Sequence, residues 1–243
     1  MPKPSNAQRR AASLLLPPVD LRHLLPANVR TQGPRPLCVP FSISCAHEAA
    51  RSAPGEEVDV LAVEPLWRHA VLANAAGNSG TTIDAIAEAV ADTGQPDESA
   101  WPYNRTLAAG TEATPATATG APFFTTEVFD VPLAHDGIED HVEAALSVGL
   151  PVVVVLEMTS AFENPNANGE IATPPLASPV GDYHAVTAVG ASTNVNGDSR
   201  RLLIRNSWGP GWGAGGYGWL PYDYLVAFAG QAAAIDPRTV AVA

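Results

Sequence analysis

Cysteine is scarce in this sequence: only Cys38 and Cys45 occur among its 243 residues. If both lie on one helix, they share a face but are separated by about 10 Å of helical rise. Because a disulfide needs α-carbons within about 7 Å of each other, we expect no bond between them. The two cysteines therefore do not indicate a secreted domain that is stabilised by disulfides. Two free thiols fit a reducing compartment, and we expect a cytoplasmic location.

Basic residues and long apolar runs are also few. The 13 lysines and arginines are outnumbered by 25 acidic residues, so the net charge is -12. This balance argues against a nucleic-acid partner, which requires a basic surface. The longest apolar run, PVVVVL at 151–156, suits a buried strand and is too short to span a membrane. The composition predicts a globular protein and leaves its oligomeric state open.

Helical and strand patterns succeed each other in an order that predicts an α+β fold with two lobes. Helical periodicity marks the segments 38–52, 63–75, 81–94 and 137–149. Strand patterns mark the segments 151–158, 184–192, 201–208 and 217–222. The dipeptide Asn196-Gly197 predicts a hairpin that pairs the second of these strands with the third.

The N-terminal segment carries no recognisable targeting signal, because its short apolar run at 11–16 ends in two prolines without a cleavage site. We expect residues 1–18 to form a disordered tail. The remaining chain is expected to divide into a mainly helical lobe over 19–120 and a mainly β lobe over 121–243.

Cys38 lies where a helix is predicted to begin. Pro40 is tolerated in a helix only in the first turn, where its missing N–H has no partner to lose. At a helix N-terminus the unpaired N–H groups and the dipole stabilise a thiolate, which is the nucleophilic form of cysteine. A lone cysteine is also commonly a small buried hydrophobe, so its position alone does not establish a nucleophile.

A thiolate nucleophile needs a base, and His184 is a candidate because it begins the apolar strand HAVTAVG. The predicted hairpin places this strand beside the one that ends at Asn206, whose amide can orient an imidazole. Trp208 follows in a glycine-rich turn and can shield that bond from water. His135 and His141 lie among acidic residues, but acidic residues also suit a helix N-terminus, so we expect no metal site and no cofactor.

With these residues assembled, the sequence resembles the papain-like cysteine peptidases, in particular their compact prokaryotic members. Gln32-Gly33 and Cys38 match the family's nucleophile block at the same spacing. His184-Ala185-Val186 matches its histidine segment, and Asn206-Ser207-Trp208-Gly209 matches its asparagine segment, which is the most specific of the three. Asn78-Ser79-Gly80 is similar to its substrate-binding Asn-Gly-Gly segment.

The resemblance implies a helical left lobe, a right lobe similar to a β-barrel, and an active-site cleft between them. Cys38 is then the nucleophile, His184 its acid–base partner, and Asn206 the residue that orients His184. The Gln32 side chain and the Cys38 backbone N–H form the oxyanion hole. The implied activity is hydrolysis of peptides or unfolded proteins through a thioester acyl-enzyme. The residues implied to bind substrate are Asn78, Ser79, Gly80, Tyr183, Trp208 and Trp212.

Two departures from the family concern its disulfide and its pro-region. Arg35 and Gly77 stand where the family has two cysteines joined in a bridge, so both halves of that bridge are missing together. Only residues 1–37 precede Cys38, which is too short for the family's large inhibitory pro-region. We therefore expect either that activity is not held back as a zymogen or that specificity and location control it.

A further departure surrounds the nucleophile, where Val39 replaces a common aromatic residue and Pro40 is unusual. With Pro34 and Pro36, these residues would build a narrow cleft that suits one dedicated substrate. An alternative function is therefore a leader-peptide processing enzyme or an acyl transferase of a peptide biosynthetic pathway. Another alternative is a catalytically inactive peptide-binding module on the same fold.

Overall fold

The computed structural model describes residues 5–53, 55–106, 113–133 and 137–243. Within them the α-helices are α1 (Asn6–Ser13), α2 (Cys38–Arg51), α3 (Glu64–Leu72), α4 (Ile83–Asp92), α5 (Ile138–Ser147), α6 (Ser160–Glu163) and α7 (Tyr222–Phe228). The strands are β1 (Val19–Asp20), β2 (Ala76–Gly77), β3 (Gly80–Thr81), β4 (Phe124–Thr125), β5 (Val128–Asp130), β6 (Val152–Glu157), β7 (Tyr183–Thr193), β8 (Arg200–Arg205), β9 (Tyr217–Pro221), β10 (Ala229–Ile235) and β11 (Ala241–Val242). In the described residues no helix has the length and apolar character needed to cross a membrane.

One large antiparallel sheet, in the order β5–β10–β6–β7–β8–β9, organises the second half of the chain. The first half of β7 pairs with β6 and its second half with β8. β1 also pairs with β7, although it comes from the segment assigned to the helical lobe. Gly190 permits this approach, because a Cβ at that position would lie 2.4 Å from the Val19 carbonyl oxygen.

The hairpin predicted at Asn196-Gly197 joins β7 to β8, so the predicted strand pairing is confirmed. The connection is a longer loop than the dipeptide suggests, because the strands end at Thr193 and resume at Arg200. The register of the β7–β8 pairing places Arg205 opposite Thr187. Asn206, the residue after β8, is thereby brought close to the beginning of β7, where the candidate His184 lies.

Helix α2 packs with one side on the sheet and the other on α3 and α4. Its apolar residues join a buried cluster that spans these helices and strands β6, β7 and β10; the α2 members are Val39, Ile43 and Ala46. The opposite face of the sheet is covered by α5 and α7 around a second cluster. The predicted α+β architecture is confirmed, and the lobe boundary at residue 120 stays a prediction.

Two neighbouring elements, α7 and β10, were not predicted. The β10 sequence AGQAAAI consists mainly of alanine, which favours helices and is depleted in strands. It forms a strand because it fits between β5 and β6 and pairs with both. Tertiary context therefore overrides local propensity at this position.

The prediction of a disordered tail over 1–18 is wrong for residues 5–18. Ser5 caps α1 through a capping box, which satisfies N–H groups that a helix otherwise leaves unpaired. The following residues are bound to the sheet by Arg200, which donates hydrogen bonds to the Leu16 and Pro17 carbonyl oxygens at 3.0 and 2.8 Å. These partners lie far apart in sequence, so composition alone does not reveal the contact.

His47 of α2 makes stability depend on pH. It is buried in the core, where its Nδ1 lies 3.0 Å from Gln95 Oε1. Burial lowers the pKa of His47 to about 4, whereas in an unfolded chain it lies near 6.5. Between these values the unfolded state binds more protons, so the free energy of unfolding falls as pH drops from 6.5 towards 4.

Between pH 7 and pH 4.5 the free energy of unfolding should fall in both proteins. We expect the fall to be smaller by about 2 kcal/mol in the His47→Gln variant than in the parent. Urea unfolding at the two pH values measures this difference. The matched control is His141→Gln, which removes an exposed histidine instead of a buried one. Equal pH dependence in the His47→Gln variant and the parent would contradict the assignment.

Candidate active site

Cys38 is the first residue of α2, and Leu37 before it provides no side-chain cap. Burial raises the pKa of the Cys38 thiol, while hydrogen bonds from the backbone of Ala185, Val39 and Cys38 itself lower it by less. The helix N-terminus is therefore present as predicted, and burial of the thiol opposes the stabilisation of a thiolate there. The Ala185 contact places the sulfur beside the residue that follows His184.

His184 is buried near the beginning of β7, and its Nε2 lies 2.8 Å from Asn206 Oδ1. The Ser207 backbone N–H donates to the same oxygen at 2.8 Å. Because this oxygen only accepts, Nε2 carries a proton and Nδ1 keeps its lone pair. Burial lowers the pKa of His184 to about 4, so the imidazole is neutral near pH 7 and can accept a proton at Nδ1.

Aromatic rings enclose the His184–Asn206 hydrogen bond. The Trp208 ring centroid lies 4.7 Å from that of His184, and Phe162 of α6 approaches the same imidazole at 5.7 Å. Phe162 was missed by the sequence interpretation, which placed no element within 160–180. The available signal is Thr159, whose hydroxyl caps α6 and accepts from the Phe162 N–H.

Gln32 is buried, and its side-chain amide is held from two directions. Ser207 Oγ donates to Gln32 Oε1 at 2.5 Å, and Gln32 Nε2 donates to the Arg35 carbonyl oxygen at 2.9 Å. An amide nitrogen carries two hydrogens, so the Nε2 group retains one for a ligand. Ser207 was part of the matched asparagine segment, but its role beside Gln32 was not predicted.

The segments of Gln32 and Ser207 meet because their neighbours pair. Thr31 forms an isolated bridge with Trp208, and the Gln32 backbone N–H donates to the Ser207 carbonyl oxygen at 2.8 Å. Gly209 is required here, since it has φ +79° and a Cβ would lie 2.2 Å from Thr31 Oγ1. The glycine of the asparagine segment thus permits close contact with the loop that carries Gln32.

The segment Asn78-Ser79-Gly80 lies at the turn between β2 and β3. Asn78 and Ser79 are exposed, and a Cβ at Gly80 would lie 3.5 Å from the Pro36 carbonyl oxygen. The turn therefore borders the loop that leads to Cys38. Tyr183, next to His184, is 59% exposed. These residues have surface available beside the candidate catalytic groups, and their binding of substrate stays a prediction.

Three residues expected at the cleft are buried instead: Val39, Pro40 and Trp212. Val39 belongs to the cluster between α2 and the sheet, and Trp212 packs against Phe162 with ring centroids 5.4 Å apart. They offer little surface to a substrate, so the idea that Val39 and Pro40 narrow the cleft is wrong. Trp212 supports the aromatic enclosure from behind.

Potential metal ligands occur elsewhere in the fold. His135 lies outside the described residues, so the possible site with His141 is not addressed by the structure. Ligand atoms of His69, Glu88 and Asp92 lie within 4.8 Å of one another, but both carboxylates are exposed. Exposed acidic groups are common without an ion, so these three residues carry no metal assignment.

Comparisons with known proteins bear on the family and on the fold. Residues 24–227 match the model of the family described as papain family cysteine protease. An uncharacterised peptidase C1-like protein of Acanthamoeba polyphaga mimivirus is 31% identical over 88 residues. That match covers 35% of this chain and 27% of the viral protein, so the matched region is about a quarter of the relative's length.

Solved structures share the fold at low sequence identity. Xylellain, a cysteine protease from Xylella fastidiosa, matches with a TM-score of 0.74 and 23% identity over 97% of this chain and 90% of its own. The bromelain protease from Ananas comosus matches with a TM-score of 0.70 and 21% identity over 90% of this chain and 99% of its own. Since the family match extends over most of the sequence, the chain belongs to the papain family of cysteine proteases.

Proposed function

We propose that this protein hydrolyses peptide bonds in peptides or unfolded proteins, with Cys38 as the nucleophile. The observation that carries the proposal is the hydrogen bond between His184 Nε2 and Asn206 Oδ1, 2.8 Å long, beside the helix that begins at Cys38. It leaves a neutral imidazole nitrogen on the residue whose neighbour, Ala185, contacts the thiol. This arrangement, with His184 buried and Cys38 half-buried, supports a base and a nucleophile that act together.

The reaction begins when the Cys38 thiol transfers its proton to His184 Nδ1 and the sulfur attacks the substrate carbonyl carbon. Burial opposes charge on either group alone, but the thiolate and imidazolium attract each other and raise the pKa of His184 as the pair forms. Asn206 and Trp208 keep the imidazole oriented while it carries the proton.

Attack on the carbonyl produces a tetrahedral intermediate with a negatively charged oxygen. We assign its stabilisation to the remaining N–H of Gln32 Nε2 and to the Cys38 backbone N–H. When the intermediate collapses, the C–N bond breaks and His184 gives its proton to the departing amine, leaving a thioester on Cys38. Water then attacks the thioester, His184 takes a proton from it, and the acid product leaves as the thiol is restored.

The proposal is tested by incubating the protein under reducing conditions with a peptide library in water enriched in heavy oxygen. We expect new peptide ends whose carboxyl groups contain the heavy isotope, and none with Cys38→Ala. Adding an amine distinguishes hydrolysis from acyl transfer, because transfer yields an amide without heavy oxygen. Absence of cleavage across the library, or cleavage that persists in Cys38→Ala, would contradict the proposal.

The alternatives have weaker support. A dedicated processing enzyme or transferase was suggested by a narrow cleft built by Pro34, Pro36, Val39 and Pro40, and of these Val39 and Pro40 are buried, whereas Pro34 is exposed and Pro36 half-buried. A binding module without activity has no need of the oriented His184–Asn206 pair. We also propose a cytoplasmic location, which is supported by the two free thiols, Cys38 and Cys45.

A further inference from the structure

The loop between Gln32 and Cys38 contains a buried arginine whose charge is neutralised by a distant helix. The Arg35 side chain is 3% exposed and that of Glu64, in the first turn of α3, is 4% exposed. Arg35 Nη1 and Nη2 donate to the two oxygens of the Glu64 carboxylate at 2.5 and 3.1 Å. This two-point contact determines the direction as well as the position of the Arg35 side chain.

Asn104 completes the contact through its backbone. Its carbonyl oxygen accepts from Arg35 Nη1 at 2.7 Å, and its N–H donates to Glu64 Oε1 at 2.9 Å. The pair is thus hydrogen-bonded to a third segment of the chain. A buried ion pair adds little to the stability of a protein. When apolar residues of similar volume replace such a pair, the protein is often as stable or more stable. A role in placing the loop explains the pair better than a role in holding the fold.

The same network reaches Gln32 by two routes. Gln32 Nε2 donates to the Arg35 carbonyl oxygen, and the Tyr103 hydroxyl donates to the Gln32 carbonyl oxygen at 2.7 Å. The Arg35 guanidinium lies over the Tyr103 ring, 5.1 Å from its centroid. Burial raises the pKa of Tyr103 to about 12, so its hydroxyl keeps the proton that it donates.

We propose that the Arg35–Glu64 ion pair is a positioning device for the oxyanion site: it holds the loop from Gln32 to Leu37 so that the Gln32 amide points at the reacting carbonyl oxygen. The inference rests on the proposed peptidase function. Ser207 fixes Gln32 from the side of the sheet, and Arg35 fixes it from the side of α3. The pair thereby links α3 to the Gln32 side chain through the loop that carries Arg35.

The test replaces both charges at once, in the double variant Arg35→Met with Glu64→Leu, so that no unpaired charge remains to unfold the protein. We expect kcat/KM for a peptide substrate to fall by about tenfold or more, because small displacements of a catalytic group are costly. The change should appear in kcat more than in KM. The matched control is Arg200→Met with Glu143→Leu, which removes another buried ion pair, between α5 and β8.

A double-mutant cycle with Gln32→Ala separates positioning from general damage. If the ion pair acts through Gln32, its removal in the Gln32→Ala background should change kcat/KM by no more than about threefold. Alkylation of Cys38 by iodoacetamide should keep its rate, because that displacement forms no oxyanion. An equal loss in both backgrounds, a parallel loss of alkylation, or no loss in the parent would each overturn the proposal.

The positioning role can also be measured without turnover, so it can be tested even if the proposed function fails. Amide hydrogen exchange over residues 32–37 should become about tenfold faster or more in the Arg35→Met, Glu64→Leu variant. The Arg200→Met, Glu143→Leu control should leave that segment unchanged. If the parent cleaves no peptide, the proposed function fails and this exchange still decides the positioning role. Unchanged exchange at 32–37 would overturn it.

Discussion

Replacing Cys38 with alanine is expected to lower kcat/KM for peptide hydrolysis by about 10⁴-fold or more, since removing a covalent nucleophile leaves only binding and oxyanion stabilisation. The change removes one sulfur atom at the first residue of α2, so the fold should persist. Measurement requires a peptide substrate from the library experiment, followed by the initial rates of parent and variant under reducing conditions.

The matched control is Cys45→Ala, because Cys45 lies on the same helix but packs in a separate buried cluster with Leu25, Ala49, Val189 and Leu203. Burial raises the pKa of the Cys45 thiol, so it stays neutral and unreactive. We expect this variant to lose about 1 kcal/mol of stability at most and to keep the parent's activity. Equal activity losses in the two cysteine variants would point to damage of α2 and not to loss of a nucleophile.

The Cys38→Ala variant also tests the binding-module alternative. A protein that only binds peptides should retain its affinity in this variant and show no turnover in the parent. Under our account the variant binds substrate but the parent consumes it. Measuring both binding and cleavage for one peptide therefore distinguishes the two functions.

Replacing Gln32 with alanine is expected to lower kcat by about 10²- to 10³-fold with little change in KM, because an oxyanion-hole donor acts mainly in the transition state. Removal of the side chain also leaves Ser207 Oγ without its 2.5 Å acceptor. Steady-state kinetics measure the loss, and iodoacetamide alkylation checks that Cys38 keeps its reactivity.

Gln231→Ala provides the control for Gln32→Ala. Gln231 lies in β10, and its side-chain amide donates to the exposed Asp84 carboxylate at 3.0 Å. Its variant should match the parent in kcat. A Gln32→Ala variant within about threefold of the parent would contradict the role of this amide, since such a change is within the range of ordinary surface substitutions.

Much of the candidate site could be predicted because local rules govern its parts. Pro40 restricts the helix start to Cys38, and α2 begins there. The turn at Asn196-Gly197 predicts paired strands, and this pairing is what brings His184 to Asn206. In both cases the decisive constraint acts on neighbouring residues or on two strands joined by one turn.

Contacts between distant segments were not predictable in the same way. The side chain of Arg35 could be recognised as a replacement for a cysteine, but its partner Glu64 lies on another helix and no local pattern joins them. The burial of a side chain is equally hard to predict from the spacing of residues in the sequence. For that reason Val39 was assigned to the cleft although it is in the core.

The most direct test of the central claim is to trap the acyl-enzyme. The parent is mixed with an activated peptide ester, quenched in acid within the first turnover, and analysed by intact mass and peptide mapping. Our account predicts that the protein gains the mass of one acyl group, on Cys38 alone, as a thioester that hydroxylamine removes. Turnover of the ester without an acyl adduct, or an adduct on another residue that is competent for turnover, would contradict it.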